Sequence, residues 1–438
     1  MRKIGANANP QYYLRTPVAG RAALRKLSLN YPDPVNWIHQ EQKFNDRTIS
    51  QGDYPIQPNS VPSEFWPELQ PVFWLPEFEA PKDQFRLFQN PARPLPWYLS
   101  CPGSKFYSHL VHPLTVQYFL NRDLKGASWR TPRFLATPMA SHRTLLVWMP
   151  QTNIPPFVVK VSLNVWVGGL NRNVRLKEIK RSVGMSSLFA GIPKANLERQ
   201  GVLLLDDPSG LVHKQANAGL LARESPCQLN AGEEIIPIFS LAASGHGSRP
   251  RIVDLVTASG LEAAAWVDEF IFTPLIYQAY FLGMTEGLVG EMHEQNILME
   301  LRNGIPTKRF WHRDLGGFGV DRDLRRLAGK GFERLPAGIH ERHLGDDIAL
   351  FHLLLRMYLQ ESLGHAVAQG LRNHFEIPSD DFKNLYDVRA SKFQNAIFSA
   401  AGIRTTRNFE KDLERYRRRK RPGFTWPWKT LKAALQDW

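Results

Sequence analysis

The sequence predicts an α+β protein in three parts: an irregular N-terminal lobe over residues 1–100, a β-rich section over 101–260 and a mainly helical section over 261–438. Three observations predict this division. Proline is concentrated at the start, apolar residues alternate in the middle, and long apolar stretches follow. With 438 residues the chain should form two or three domains, because single cores rarely grow beyond about 250–300 residues.

Composition is typical of a soluble globular protein, with 43% hydrophobic and 22% charged residues. No uninterrupted apolar run reaches the length of about eighteen residues that a transmembrane helix needs. The first residues also lack the apolar segment of a secretory signal. Two cysteines, Cys101 and Cys227, are too few for a disulfide framework or a cysteine zinc site. We therefore expect a reduced, cytoplasmic protein.

The net charge of +14 favours an anionic partner. Residues 401–438 hold eleven Lys and Arg against four Asp and Glu, and the densest run is 415–421. No zinc-finger, RNA-recognition or helix-turn-helix signature accompanies this run. A solvated helix end or tail explains it better than a nucleic-acid surface, so we expect small anionic ligands.

The N-terminal lobe contains 14 of the 32 prolines, many of them beside aromatic residues, as in Phe65-Trp66-Pro67. Proline removes a backbone donor and restricts the preceding residue, which excludes long helices. The aromatic side chains still supply apolar surface to bury. The pattern predicts a packed lobe with short helices.

The β-rich section contains two clear strand patterns. Residues 141–149 are predicted as a strand, and residues 157–167 alternate strictly until Gly168-Gly169, with a basic helix beginning near Asn171. The alternation predicts one buried face and places Lys160 on the opposite, polar face. The buried face would hold Val159, Val161, Leu163, Val165 and Val167.

The helical section begins with a long helix over 261–289, kinked near Pro274. Asn303-Gly304 then predicts a β-hairpin with a two-residue loop. Its strands would cover 295–301 and 306–311, and further helices would cover 347–363 and 382–401.

The hairpin predicts a cluster of polar side chains at its open end. A regular ladder from the two-residue loop places His293 opposite Asp314 and Gln295 opposite His312. Carboxylate and amide oxygens, such as those of Asp314 and Asn296, are the ligands that Mg²⁺ takes beside phosphates. The alternative is a polar hairpin end whose side chains satisfy one another.

A second group of polar residues surrounds the predicted strands: Ser141, Arg143, Thr144, Lys160 and Arg172. Fixed cations and hydroxyls can hold a polyphosphate. The alternative is a solvated sheet face. No Walker A sequence occurs, so any phosphate site is not a P-loop.

Taken in order, these motifs resemble the siderophore synthetases that act independently of non-ribosomal peptide synthetases, the aerobactin-synthetase-type IucA/IucC family. The resemblance covers about residues 100–400. The matching motifs are Ser141-x-Arg143-Thr144, Lys160 with Arg172, Glu291-x-His293-x-Gln295-Asn296 and Arg313-Asp314-x-x-Gly317, preceded by Leu110-Val111-His112-Pro113.

The resemblance implies a cupped-hand fold with an N-terminal thumb, β-rich fingers and a helical palm. It also implies an ATP- and Mg²⁺-dependent ligase that adenylates citrate or a related polycarboxylic acid and condenses it with an amine or alcohol. His293, Arg172 and Lys160 would be catalytic. ATP would be held by Ser141, Arg143, Thr144, Lys160, Arg172, His293 and Gln295, and the metal by Asn296 and Asp314.

The sequence departs from the family near its start. The family's His-Pro-x-His-Pro-x-x-Lys motif is not found, which indicates a shortened or replaced N-terminal region. Candidates for binding the substrate carboxylates are Arg404, Arg407 and Lys411. By resemblance we expect a homodimer.

Two other functions remain open on the sequence. A non-catalytic relative would bind a polycarboxylate or ferric chelate, or scaffold a synthetase, and the missing N-terminal motif favours it. A small-molecule kinase is suggested by His293-x-x-Asn296 before an Asp-containing turn, although no aspartate stands near His293 as the base.

Overall fold

The computed structural model combines two main β-sheets with helices, which confirms the predicted α+β class. It describes residues 18–43, 61–100, 103–122, 124–150, 152–167, 170–226, 229–244, 249–321, 325, 328–331, 335–336, 339, 355–375 and 384–392. The domain boundaries at residues 100 and 260 stay a prediction.

The larger sheet has eight antiparallel strands in the order β2-β10-β11-β6-β5-β4-β1-β3. A second sheet has the order β12-β14-β15-β9, and β7-β8 and β13-β16 form two small pairs. The strands are β1 (Phe73–Pro81), β2 (Phe85–Gln89), β3 (Phe106–Leu110), β4 (Ser128–Pro138), β5 (Thr144–Trp148), β6 (Phe157–Val161), β7 (Leu163–Val167), β8 (Leu170–Arg172), β9 (Val202–Leu204), β10 (Ser209–His213), β11 (Ala218–Arg223), β12 (Glu233–Pro237), β13 (Leu288–Val289), β14 (Ile297–Arg302), β15 (Ile305–His312) and β16 (Gly319–Val320).

Helices lie mainly at the start of the described chain and after residue 238. None in the described ranges is long and apolar enough to cross a membrane. The α-helices are α1 (Val18–Asn30), α2 (Pro32–Lys43), α3 (Val116–Leu120), α4 (Leu176–Ala190), α5 (Lys194–Arg199), α6 (Ile238–Ala242), α7 (Arg251–Ser259), α8 (Ala263–Val267), α9 (Thr273–Glu286) and α10 (His365–Leu371). Residues 384–392 are also helical.

The first hundred residues are more regular than the proline content predicts. Short helices are present, as expected, but β1 and β2 were not predicted, and β1 is an interior strand between β4 and β3. Pro76 lies where the pairing of β1 with β4 shifts register, between Leu75 and Glu77. A bulge accommodates a proline without breaking the sheet, so a high proline content does not exclude strands in this region.

The predicted strand over 157–167 is two strands in two different sheets. They separate at Ser162, whose hydroxyl donates to Gly219 O at 2.9 Å and accepts from Val174 N at 3.0 Å. The predicted inward face is confirmed at Val159, Val161 and Leu163, which are all buried, whereas Val165 is half-buried. The predicted basic helix is present as α4, but it begins at Leu176 rather than near Asn171, because β8 occupies Leu170–Arg172.

The face that carries Lys160 is not polar along its whole length. Val158, Leu146 and Trp148 lie on it and are buried against α1 and α2, together with Trp37 and Ile38. The N-terminal helices therefore cover one part of this face. Its polar part, around Lys160, is where the larger sheet meets the second sheet.

The predicted long helix over 261–289 is divided. A π-helical segment, Asp268–Phe272, separates α8 from α9, directly before Pro274. Proline lacks the donor that would continue regular α-helical bonding, which explains the break close to the predicted kink. Helix α9 ends at Glu286, earlier than the predicted end at 289, because Gly287 caps it in the left-handed conformation at φ 66°. Helices predicted at 347–363 and 382–401 are described only in part.

The hairpin forms at Asn303-Gly304, but its predicted register is wrong. Arg302 pairs with Ile305 as expected, whereas farther along Ile297, and not Gln295, pairs with His312. A bulge centred on Lys308, which has a φ of 62°, causes the shift. Thr307 stabilises the bulge by donating its hydroxyl to Glu300 O at 3.2 Å. His293 is consequently not a ladder partner of Asp314.

Candidate functional site

The two predicted groups of polar residues meet at Lys160 and Asp314. Lys160 lies on β6 opposite Thr144 of β5, and Asp314 follows β15. The Lys160 ammonium nitrogen lies 3.0 and 2.9 Å from the two Asp314 carboxylate oxygens. This contact joins the larger sheet to the end of the hairpin.

Asp314 is placed by a tight backbone turn. Its φ is 59°, and its carbonyl accepts from Gly317 N at 2.7 Å. Gly316 is buried against α4, where a Cβ would collide with the Ser182 hydroxyl. Glycine is therefore required there for close approach.

Arg223 and Asp207 extend the ion pair and were missed by the sequence reasoning. Arg223, at the end of β11, contacts Asp207 at 2.8 Å and Asp314 at 3.1 Å. Arg223 and Asp207 are both buried. One feature of the sequence could have indicated them, the single arginine at the end of the otherwise apolar strand β11. A buried arginine requires carboxylate partners.

The electrostatics of this group keep Asp314 ionised. Burial alone would raise the pKa of Asp314, but the attraction of Lys160 and Arg223 outweighs burial and holds that pKa well below its usual value. Burial lowers the pKa of Lys160, and repulsion from Arg143 and Arg223 adds to this effect, while Asp314 opposes it. Lys160 is thus a desolvated cation held by one carboxylate.

Arg143 and Arg172 place further positive charge beside this pair. Arg143 donates to the backbone carbonyl of Arg172 at 2.8 Å and lies 3.8 Å from Glu178. Burial is the main cause that lowers the pKa of each arginine, and Arg143 also lowers the pKa of Arg172 and of Lys160. Guanidinium groups remain protonated at neutral pH despite such shifts.

Ser141 and Thr144 belong to the turn that carries Arg143. The Thr144 amide donates to Ser141 O at 3.2 Å, and Thr144 begins β5. Ser141 is exposed, whereas Thr144 is buried. The predicted strand over 141–149 therefore begins three residues later, and its first residues form a turn beside the cations.

His293, Gln295 and Asn296 form a compact loop before β14. The imidazole Nδ1 of His293 accepts from Gln295 N at 3.3 Å, and the carbonyl of His293 accepts from Asn296 N at 2.9 Å. Because Nδ1 is an acceptor, a neutral His293 carries its proton on Nε2. Arg313 N donates to Asn296 O at 3.0 Å, so the loop lies directly beside the Arg313-Asp314 backbone.

The oxygen donors at this position suit Mg²⁺ by their chemistry. Asp314 offers a carboxylate, and Asn296 donates through its side-chain nitrogen to Glu291 O at 3.2 Å, which leaves the amide oxygen as a donor to a metal. Within the described ranges, no three His, Cys, Asp or Glu side chains group as a metal site. The described side chains therefore do not form a complete set of metal ligands by themselves. Mg²⁺ normally completes its coordination shell with phosphate and water oxygens.

The three candidate substrate residues, Arg404, Arg407 and Lys411, lie outside the described residues, as do the basic run 415–421 and both cysteines. Their assignments stay predictions.

Two family models match the chain. The model described as "IucA / IucC family" matches residues 103–243, and the one described as "Ferric iron reductase FhuF-like transporter" matches residues 264–399. The first segment contains Lys160, and the second contains His293 and Asp314. The resemblance inferred from the motifs is confirmed, and the Lys160–Asp314 ion pair joins the two matched segments.

Three of the curated relatives are named as synthases or ligases. The N(2)-citryl-N(6)-acetyl-N(6)-hydroxylysine synthase of Vibrio mimicus is 25% identical over 52% of this chain and 38% of its own length. The L-2,3-diaminopropanoate–citrate ligase of Staphylococcus aureus is 26% identical over 49% of this chain and 38% of its own. The aerobactin synthase of Vibrio mimicus is 34% identical over 23% and 17%, respectively. These matches span less than half the length of each relative.

Solved structures with the same fold include the petrobactin biosynthesis protein AsbB from Bacillus anthracis, with a TM-score of 0.59, 17% identity, and coverage of 85% of this chain and 71% of that one. The ATP-bound aerobactin synthetase IucA from Klebsiella pneumoniae matches with a TM-score of 0.59, 15% identity, and coverage of 85% and 73%. The chain therefore has the fold of the siderophore synthetases.

Proposed function

We propose that this chain is an ATP-dependent ligase of siderophore biosynthesis, which activates citrate or a related polycarboxylic acid as an acyl-adenylate and joins it to an amine or alcohol. The observation that carries the proposal is the contact of Lys160 with Asp314 inside a cluster of arginines. The names of the relatives, which include two citrate-linked enzymes, support the substrate class.

The cations are suited to the first step. A carboxylate oxygen of the acid attacks the α-phosphorus of ATP, and the bond to pyrophosphate breaks. Negative charge grows on the phosphate oxygens during this displacement, and fixed cations in a desolvated site stabilise it. Arg143, Lys160 and Arg172 would bind these oxygens, with hydroxyls from Ser141 and Thr144.

Asp314 and Asn296 would hold Mg²⁺, whose positive charge would help neutralise the triphosphate. Asp314 can release Lys160 to the nucleotide without losing its ionised state, because Arg223 continues to hold the carboxylate. Asp207 in turn balances Arg223. This alternation of charges supports a site in which Asp314 stays paired when Lys160 turns to the nucleotide.

His293 and Gln295 would lie beside the nucleotide and the reacting carboxylate. The hydrogen bond from Gln295 N fixes the ring of His293 and directs the Nε2–H away from the backbone loop. An Nε2–H donor can stabilise developing charge near the acid. In the second step the amine or hydroxyl attacks the acyl carbon, the bond from that carbon to the AMP oxygen breaks, and the proton of the nucleophile passes to the surrounding water.

The test is a screen of carboxylic acids against a panel of amines and alcohols, with ATP and Mg²⁺, in which pyrophosphate release and AMP are measured. We expect both products to form only with a polycarboxylic acid present. ADP as the product would indicate a kinase instead. Failure to bind Mg²⁺-ATP in a calorimetric titration would overturn the ligase and favour a non-catalytic relative. A cytoplasmic location and a homodimer stay predictions, to be tested by cell fractionation and by light scattering.

A further inference from the structure

Helix α2 carries a glutamate that packing alone does not explain. Glu41 lies near the end of α2 and is 0% exposed. The apolar side of α2 packs Val35, Trp37 and Ile38 against the larger sheet. A carboxylate in such a position is strongly destabilising unless charged or hydrogen-bonding partners surround it.

The partners of Glu41 directly precede two of the proposed site residues, Ser141 and Asp314. One carboxylate oxygen accepts from the Arg313 guanidinium, beside Asp314. The other accepts from Ala140 N at 3.2 Å, beside Ser141. One buried side chain thus connects the turn of the cationic group to the end of the hairpin.

Neighbouring contacts make this connection rigid. Gln42 donates to the Thr137 hydroxyl at 2.7 Å and to Pro138 O at 2.6 Å, which fixes the end of α2 on β4. Arg313, itself only 8% exposed, donates from Nε to Gln295 O at 2.7 Å. The carboxylate of Glu41 is therefore linked through Arg313 to the His293–Asn296 loop as well.

We propose that Glu41 is a positioning residue of the nucleotide site, acting through Arg313 and the Ala140 amide to hold the Ser141–Thr144 turn and Asp314 at a fixed separation. This inference rests on the proposed function. A phosphate site formed by two sheets binds best when its donors are already in position before the ligand arrives. Buried ion pairs next to the phosphate-binding residues can hold them in position. The N-terminal helix thereby contributes to the site without touching the nucleotide.

The experiment compares Glu41→Gln with a matched control, Glu77→Gln. Glu77 is also 0% exposed and pairs with an arginine, Arg133 at 2.8 Å, but its partners lie on β3 and β4 and include none of the site residues. Both variants should lower the melting temperature. We expect only Glu41→Gln to raise the Kd of Mg²⁺-ATP, by about tenfold, as is typical when a supporting partner is lost.

Two further variants test the route. Because Glu41 acts in part through Arg313, the double variant Glu41→Gln/Arg313→Gln should lose less Mg²⁺-ATP binding free energy than the sum of the two single losses, whereas fully additive losses would overturn the connection. Should Glu41→Gln not fold, Glu41→Asp keeps the charge but shortens the side chain, and it should still weaken ATP binding.

The outcomes separate this inference from the proposed function. If the parent protein binds no Mg²⁺-ATP, the proposed function fails and the inference falls with it. If the parent binds Mg²⁺-ATP and both Glu41 variants bind it with unchanged Kd, the positioning role alone is wrong. Equal weakening in Glu77→Gln would also overturn it, because general destabilisation would then account for the effect.

Discussion

Lys160 and Asp314 lie 154 positions apart in the sequence and form a two-oxygen ion pair, with distances of 3.0 and 2.9 Å. The pair connects a strand of the larger sheet to the turn after the hairpin. Since Asp314 also contacts Arg223, the carboxylate holds two cations at once. Substituting Lys160 and substituting Asp314 should therefore have different effects on the free energy of unfolding.

Lys160→Ala and Arg172→Ala should each weaken ATP use, because each removes a cation that would contact phosphate oxygens. Lys160→Ala should cost only about 2 kcal/mol in the free energy of unfolding, less than the ~3–5 kcal/mol for breaking a fully buried pair, since Asp314 keeps Arg223. The KM for ATP and urea-induced unfolding provide the two measurements. Undiminished adenylation in either variant would show that the phosphate assignment is wrong.

Asp314→Asn should abolish Mg²⁺-dependent activity and also destabilise the fold. The substitution leaves Lys160 facing Arg143 and Arg223 without a carboxylate between them, and we expect a loss of about 3 kcal/mol in the free energy of unfolding. Pyrophosphate release measured against Mg²⁺ concentration tests the metal role. An Mg²⁺ response identical to that of the parent would remove Asp314 from the metal site.

His109 should make the protein less stable in acid. Burial, assisted by the nearby His213, lowers the pKa of His109 to about 3, whereas an unfolded histidine titrates near ~6.5. Between these values the unfolded chain binds a proton that the folded chain excludes, so stability falls as the pH falls. When the pH falls from about 7 to about 5, the free energy of unfolding of His109→Phe should decrease by about 2 kcal/mol less than that of the parent.

Urea unfolding at both pH values tests the His109 prediction, with the exposed His365→Gln as the control. The ring of His109 lies nearly parallel to those of Phe78 and Phe85, with centroid distances of 5.0 and 5.9 Å, so phenylalanine suits the site. Equal acid losses in His109→Phe and in the parent would show that His109 does not cause the acid sensitivity.

Leu163→Asp should unfold the larger sheet, because Leu163 is only 1% exposed and lies in the same core as Val159 and Val161. Burying a carboxylate there and losing the apolar side chain should cost about 4 kcal/mol or more. Trp166→Asp on the same strand is the control, since Trp166 is 64% exposed. Thermal unfolding of both variants is the measurement, and a Leu163→Asp protein as stable as the parent would show that the two faces are reversed.

The sequence by itself determined the α+β class, the strand face that carries Lys160 and the hairpin loop at Asn303-Gly304. These features depend on the local periodicity of apolar residues and on a two-residue turn signal, which lie within short stretches of the chain. The hairpin register was not determined locally, because the bulge at Lys308 depends on the contact of Thr307 with Glu300 across the ladder.

Only the tertiary structure decided which buried charges support the site. Arg223 and Asp207 are 16 positions apart, and Glu41 and Arg313 are 272 apart. No periodicity relates these residues, and a buried charge is stable only where packing brings its partner. The proline-rich start contributed an interior strand for a different reason, because a bulge accommodates Pro76 within the sheet.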